Sequence, residues 1–130
     1  MKAITFLLLV LVALFISDNS KQIDVTTNKG VHIVWSKADS QAYARDKLSE
    51  WQDKQWSCLN SLWSKESAWK PNAYNSIKVM GKNAGGIPQL LGLDPVTPAP
   101  RQIDRGLNYI YNRYNTPCEA WRHSKQKGWY

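Results

Sequence analysis

Two cysteines, Cys58 and Cys118, are the only ones in the 130 residues, and they constrain the fold more than any other feature. An uncharged apolar run from Ala3 to Ile16 follows Lys2 and directs the chain out of the cytoplasm, where paired thiols oxidise. The simplest expectation is therefore a disulfide. It would close a loop over a separation of 60 residues and contribute about 4 kcal/mol in the chain-entropy model. Zinc is the weaker alternative. It would have to recruit His32 and His123 from distant positions, with no close Cys-x-x-Cys or His-x-x-x-His pair to preorganise a site.

The apolar run suits the centre of a secretory signal better than a membrane span, which needs roughly 20 apolar residues. Yet Phe15 and Ile16 stand where a cleavage site wants small residues, and no Cys follows to accept a lipid. Two readings of residues 1–17 therefore stand: a signal peptide, or an uncleaved anchor that tethers the rest to a membrane through residues 3–16. Both put the protein outside the cytoplasm, secreted or anchored, or in a virion if the chain is phage-encoded. A net charge of +7 favours anionic partners such as cell-wall polymers, nucleic acid or lipid headgroups. The basic residues are scattered, with no run and no arginine-rich helix. A solvated surface attracted to an anionic wall explains them, and no nucleic acid is expected.

The length allows one domain with a small core. Residues 18–35 alternate loosely around Asn28, Lys29 and Gly30, as a small hairpin or only a tether. From Ser36, a good helix cap, Ala44, Leu48 and Trp51 recur at helical spacing, predicting a helix to about Lys54. A second helix is expected over about Ser57 to Ser67. Gly and Pro then mark a long loop through Pro88 and another through Pro100. RQIDRGLNYIYNRY reads as a helix with Ile103, Leu107, Ile110 and Tyr114 on one face, and Pro117 opens a short helical turn. The fold class is mostly α, with residues 36–130 as the domain.

On the second helix Leu59, Leu62 and Trp63 form the apolar stripe, and Glu66 stands at the next position of that stripe. There, desolvation and the negative end of the helix dipole both disfavour ionisation. A carboxyl held protonated beside aromatic residues is what a general acid for glycosidic cleavage needs. The plainer reading is that Glu66 pairs with Lys65, Lys70 or an Arg at the helix end.

ESAWKPNAYN, AGGIPQ and QIDRGLNYI together resemble the lysozyme-like domain of soluble lytic transglycosylases. The matching positions are Glu66 and Ser67, Pro71 and Ala73, Gly86-Ile87-Pro88-Gln89, and Gln102-Ile103 with Gly106 and Tyr109-Ile110. W-x-CL-x-x-LW-x-KES, RY-x-x-PC-x-AW and GWY resemble the small branch found in exported actinobacterial and phage-type proteins, and residues 56–130 are covered. The resemblance implies a lysozyme-like fold and a lytic transglycosylase acting on peptidoglycan glycan strands without a cofactor, with Glu66 as general acid and base. It also implies substrate contacts from Gln89, Ile87 and Tyr109. Ser67 would orient the backbone, and Trp69 and Tyr74 could be stacking walls for sugar rings. Without the resemblance, Ser67 reads as a cap, Gln89 as a turn amide and Tyr109 as core.

Two features depart from that family. The segment around Met80, Gly81 and Lys82 is longer, and Ala120-Trp121-Arg122 stands where the family has a tyrosine whose hydroxyl approaches the acid. An indole cannot supply that group. Trp121 is then expected to pack, and Tyr130 or another tyrosine to provide the hydroxyl. No second acid lies near Glu66; Asp94 and Asp104 are weak candidates for a partner. The alternatives are a muramidase on the same scaffold, or a non-catalytic wall-binding or virion structural protein.

Overall fold

The computed structural model describes residues 23–24, 32–48 and 53–130. The expected export segment, residues 1–17, and Trp51 lie outside the described residues. Among the described residues, no helix is long and apolar enough to cross a membrane.

Strands β1 (Ile23–Asp24) and β2 (His32–Ile33) pair antiparallel, Ile23 opposite Ile33, which is the hairpin alternative for this stretch. Helix α1 (Lys37–Lys47) begins at Ser36 with a reciprocal cap: Asp39 N donates to Ser36 Oγ, and Ser36 N donates to Asp39 Oδ2, both at 3.1 Å. It ends earlier than the expected Lys54. Leu48 leaves helical geometry and is buried, and α2 (Asp53–Ser67) starts anew.

The first expected long loop is instead a three-stranded antiparallel sheet in the order β3 (Tyr74–Val79), β4 (Lys82–Gly85), β5 (Leu90–Leu91). Val79 opposes Lys82 across a two-residue turn, Met80-Gly81, with positive φ at both residues. That is the backbone of the tight hairpin turn whose twist matches paired strands. The other expected loop leads into α3 (Ala99–Tyr114). The turn expected after Pro117 is a full helix, α4 (Pro117–Lys127). Thr116 caps it by accepting from Glu119 N, and Gly128 ends it in left-handed geometry.

The core is made by α1, α2, α3, α4 and the Ile87 turn. Leu59, Leu62, Trp63, Ile87, Ile103, Ile110 and Ala120 are fully buried, and each large side chain among them contributes roughly 1.5–3 kcal/mol. Gly106 brings α3 against Trp63. A Cβ there would lie 2.7 Å from both Trp63 Cζ2 and Pro88 Cβ. Cys58 and Cys118 form the expected disulfide, joining α2 to α4 with Cα atoms 4.9 Å apart. Lys65 Nζ donates to Ser124 Oγ at 2.6 Å and clamps the same helix pair further along.

Candidate active site

Glu66 lies in the last turn of α2, half-buried beyond the Leu59, Leu62, Trp63 stripe. Burial raises its carboxyl above the ordinary glutamate range, and the neighbouring Lys65 charge offsets this only in part. Among the described residues the ion pairs are Arg45–Asp53, Lys47–Asp104 and Arg122–Glu119, so the pairing considered for Glu66 is not made. Lys65 is committed to Ser124.

The chain directly after Glu66 is held in an unusual path. Ala68 and Trp69 both have positive φ, 51° and 61°, a region costing non-glycine residues roughly 1–3 kcal/mol each. Burial of Trp69 offsets that cost. The reversal turns its ring under α2, where it is 1% exposed, meets Trp63 edge-on at 5.2 Å and donates Nε1–H to Asn60 Oδ1. Trp69 is therefore not the expected stacking wall; a buried face cannot meet a sugar.

Ser67 Oγ donates to Ile87 O at 2.7 Å, tying the helix end to the Gly86–Gln89 turn. The backbone of Ile87 is engaged on both sides, because its N–H donates to Gln102 Oε1 at 2.8 Å. With its side chain fully buried, Ile87 is a core residue rather than the substrate contact expected. Gln89 also has a positive φ, and its Nε2 donates to Gly86 O and Ala73 O, the turn-amide role rather than an outward one. Ser67 thus braces the helix end beside Glu66, and Gln89 braces its own turn against Ala73.

Sequence reasoning assigned no role to the buried Gln102. Besides accepting from Ile87, it donates to Pro71 O at 2.9 Å and Thr97 O at 2.8 Å, with a longer contact to Pro95 O. One amide thereby fixes three connecting segments. The available signal was an uncharged polar residue beside Ile103 on the buried face of α3.

Tyr130 is half-buried with its hydroxyl turned inward. It accepts from Trp63 Nε1 at 2.9 Å and donates to Pro88 O. Burial holds this phenol well above its ordinary range, Trp63 pulls it back in part, and the Glu66 charge raises it further. The Tyr130 hydroxyl thus bonds a residue one turn before Glu66 on α2. Tyr109 and Tyr114 complete a group of three rings, with Tyr109 5.8 Å from Tyr130 and 6.1 Å from Tyr114. Tyr109 is raised by burial first, then by Tyr114. Tyr74, 59% exposed on β3, is the one expected stacking residue with an open face. Trp121 packs against the core with Lys125 over its ring.

Neither weak acid candidate joins Glu66. Asp94 accepts from Val96 N in a turn, and Asp104 accepts from Tyr43 Oη on the seam between α1 and α3. A separate apolar cleft of about 680 Å³, lined by Ile33, Trp35, Pro71, Val96 and Pro98 among others, contains none of the residues around Glu66. Comparison with protein-family models, curated proteins and solved structures found no match.

Proposed function

We propose that this chain is a lysozyme-like lytic transglycosylase that cleaves the β-1,4 bond between N-acetylmuramic acid and N-acetylglucosamine in peptidoglycan. The observation that carries the reading is Glu66, a half-buried carboxyl with a raised pKa and no ion-pair partner among the described residues, on a helix end braced by Ser67. A carboxyl poised in this way is protonated over a wider pH range than a solvated one and still gives up its proton to a leaving group.

In this mechanism Glu66 donates its proton to the glycosidic oxygen as the bond from muramic C1 breaks. The carboxylate then takes the proton of the muramic C6 hydroxyl, whose oxygen attacks C1 and closes the 1,6-anhydro ring. One acid serves both steps, because the nucleophile belongs to the substrate and no second carboxylate has to activate water. Tyr130 bonds Trp63 one turn before the acid, and Tyr74 offers an exposed ring to a sugar.

The test is mass spectrometry of muropeptides released from purified peptidoglycan by the oxidised full chain, beside the Glu66→Gln variant. Anhydro-muramyl products that vanish with Glu66→Gln are expected. Reducing ends would make the protein a muramidase, and binding without release would make it a wall-binding module.

A further inference from the structure

The hairpin of β3 and β4 carries apolar side chains that the fold does not use. Every residue of β3 is exposed, and Ile77, Val79 and Met80 are 71%, 52% and 91% accessible. Val79 opposes Lys82 and Ala84 opposes Leu91, so these four side chains share one face of the sheet, and exposed Leu91 extends its apolar part. Met80 is the sharpest anomaly. It holds a positive φ at a turn position that favours Asn, Asp or Gly, and its side chain touches solvent almost everywhere. Neither turn chemistry nor packing selects methionine there.

The charge around this surface has one sign. From Ser67 to Leu93 the chain contains Lys70, Lys78 and Lys82 and no Asp or Glu. All three lysines are exposed, and none is in an ion pair among the described residues. We propose that the Met80 hairpin docks on an anionic lipid bilayer, inserting Ile77, Val79 and Met80 at the headgroup boundary while Lys78 and Lys82 meet lipid phosphates. An apolar tip flanked by lysines matches both layers of such a surface. A hydrated anionic wall polymer would satisfy the lysines and leave the apolar tip in water. A second copy pairing along the β3 edge would bring two cationic hairpins together, and an exposed edge lysine such as Lys78 is a common device against such pairing. This contact is independent of any anchor in residues 3–16 and of the proposed activity.

The test is hydrogen exchange of residues 76–82 in the full chain reconstituted in phosphatidylcholine vesicles, with and without phosphatidylglycerol. Slower exchange is expected only with phosphatidylglycerol. Met80→Asp creates Asp-Gly, a favoured sequence for this turn, so the hairpin stays folded while the protection disappears. Lys78→Gln with Lys82→Gln lowers the docking equilibrium about thirty-fold, the factor for roughly 1 kcal/mol per lysine near an anionic surface. Equal exchange in both vesicles, or protection that survives Met80→Asp, overturns the proposal. So does protection by soluble poly(glycerol phosphate) without lipid, which assigns the surface to a wall polymer, or protection that rises with protein concentration alone, which assigns it to a second copy.

Discussion

Replacing Gln102 by Leu tests whether one buried amide holds the frame around Glu66. The swap nearly preserves volume, so the cost comes from the groups it strands. Ile87 N–H loses its acceptor at 2.8 Å, and Thr97 O and Pro71 O lose donors at 2.8 and 2.9 Å. A stranded buried polar group costs about 1–3 kcal/mol. The N–H bears that in full, while the carbonyls on connecting segments recover part of it from water, so a loss of about 3–5 kcal/mol is expected. That is a large share of the roughly 5–15 kcal/mol that holds a domain folded. Urea unfolding at fixed m-value measures it, and amide exchange at Ile87 locates it. Gln102→Glu is the informative companion, since it keeps an acceptor for Ile87 and has one O–H donor when protonated and none when ionised. A Gln102→Leu cost below about 1 kcal/mol, with Ile87 exchange unchanged, would refute the assignment of these bonds as a structural hub.

Three further outcomes are expected. Because burial raises the folded-state pKa of Glu66 above its unfolded value, the neutral acid favours folding below the unfolded pKa of about 4.3, and that advantage is lost as pH rises through the folded value. Glu66→Gln should therefore melt above the parent at neutral pH and converge with it in acid, as a pH series of thermal scans would record. Ala68→Gly should stabilise by about 0.5–1 kcal/mol in urea, because exposed Ala68 holds φ 51° and glycine holds that geometry without strain. Tyr130→Phe leaves the buried Trp63 indole without its acceptor and should cost about 1–3 kcal/mol in the same assay; peptidoglycan turnover unchanged by it would make Tyr130 a strut rather than a reacting group.

The helices were legible where periodicity and caps coincide. Ser36 opens α1, the Leu59, Leu62, Trp63 stripe marks α2, and Ile103 with Ile110 defines the buried face of α3. The sheet was missed because Gly81, Gly85 and Gly86 signal loops, while β3 has no buried face to impose an alternating pattern. Its clue was Met80-Gly81 between two short polar and apolar runs. Helix α4 was underestimated although Thr116, Pro117 and Glu119 spell a cap, because its apolar positions are few. The disulfide could be read from a single pair of cysteines, and the raised carboxyl of Glu66 from its place on the α2 stripe. Trp69 could not, since its burial follows from two consecutive left-handed residues that no local sequence rule predicts.

The bridge between Cys58 and Cys118 also sets an order in time. It fastens the start of α4 to the first half of α2, and α4 leads to Tyr130, whose hydroxyl accepts from the buried Trp63 indole. In a reducing compartment only packing and hydrogen bonds hold that helix, and each opening lets the ring leave Trp63. Oxidation turns its return into a short-range event at high effective concentration. The packing of Tyr130 on Trp63 is thus held most firmly once the bridge has formed.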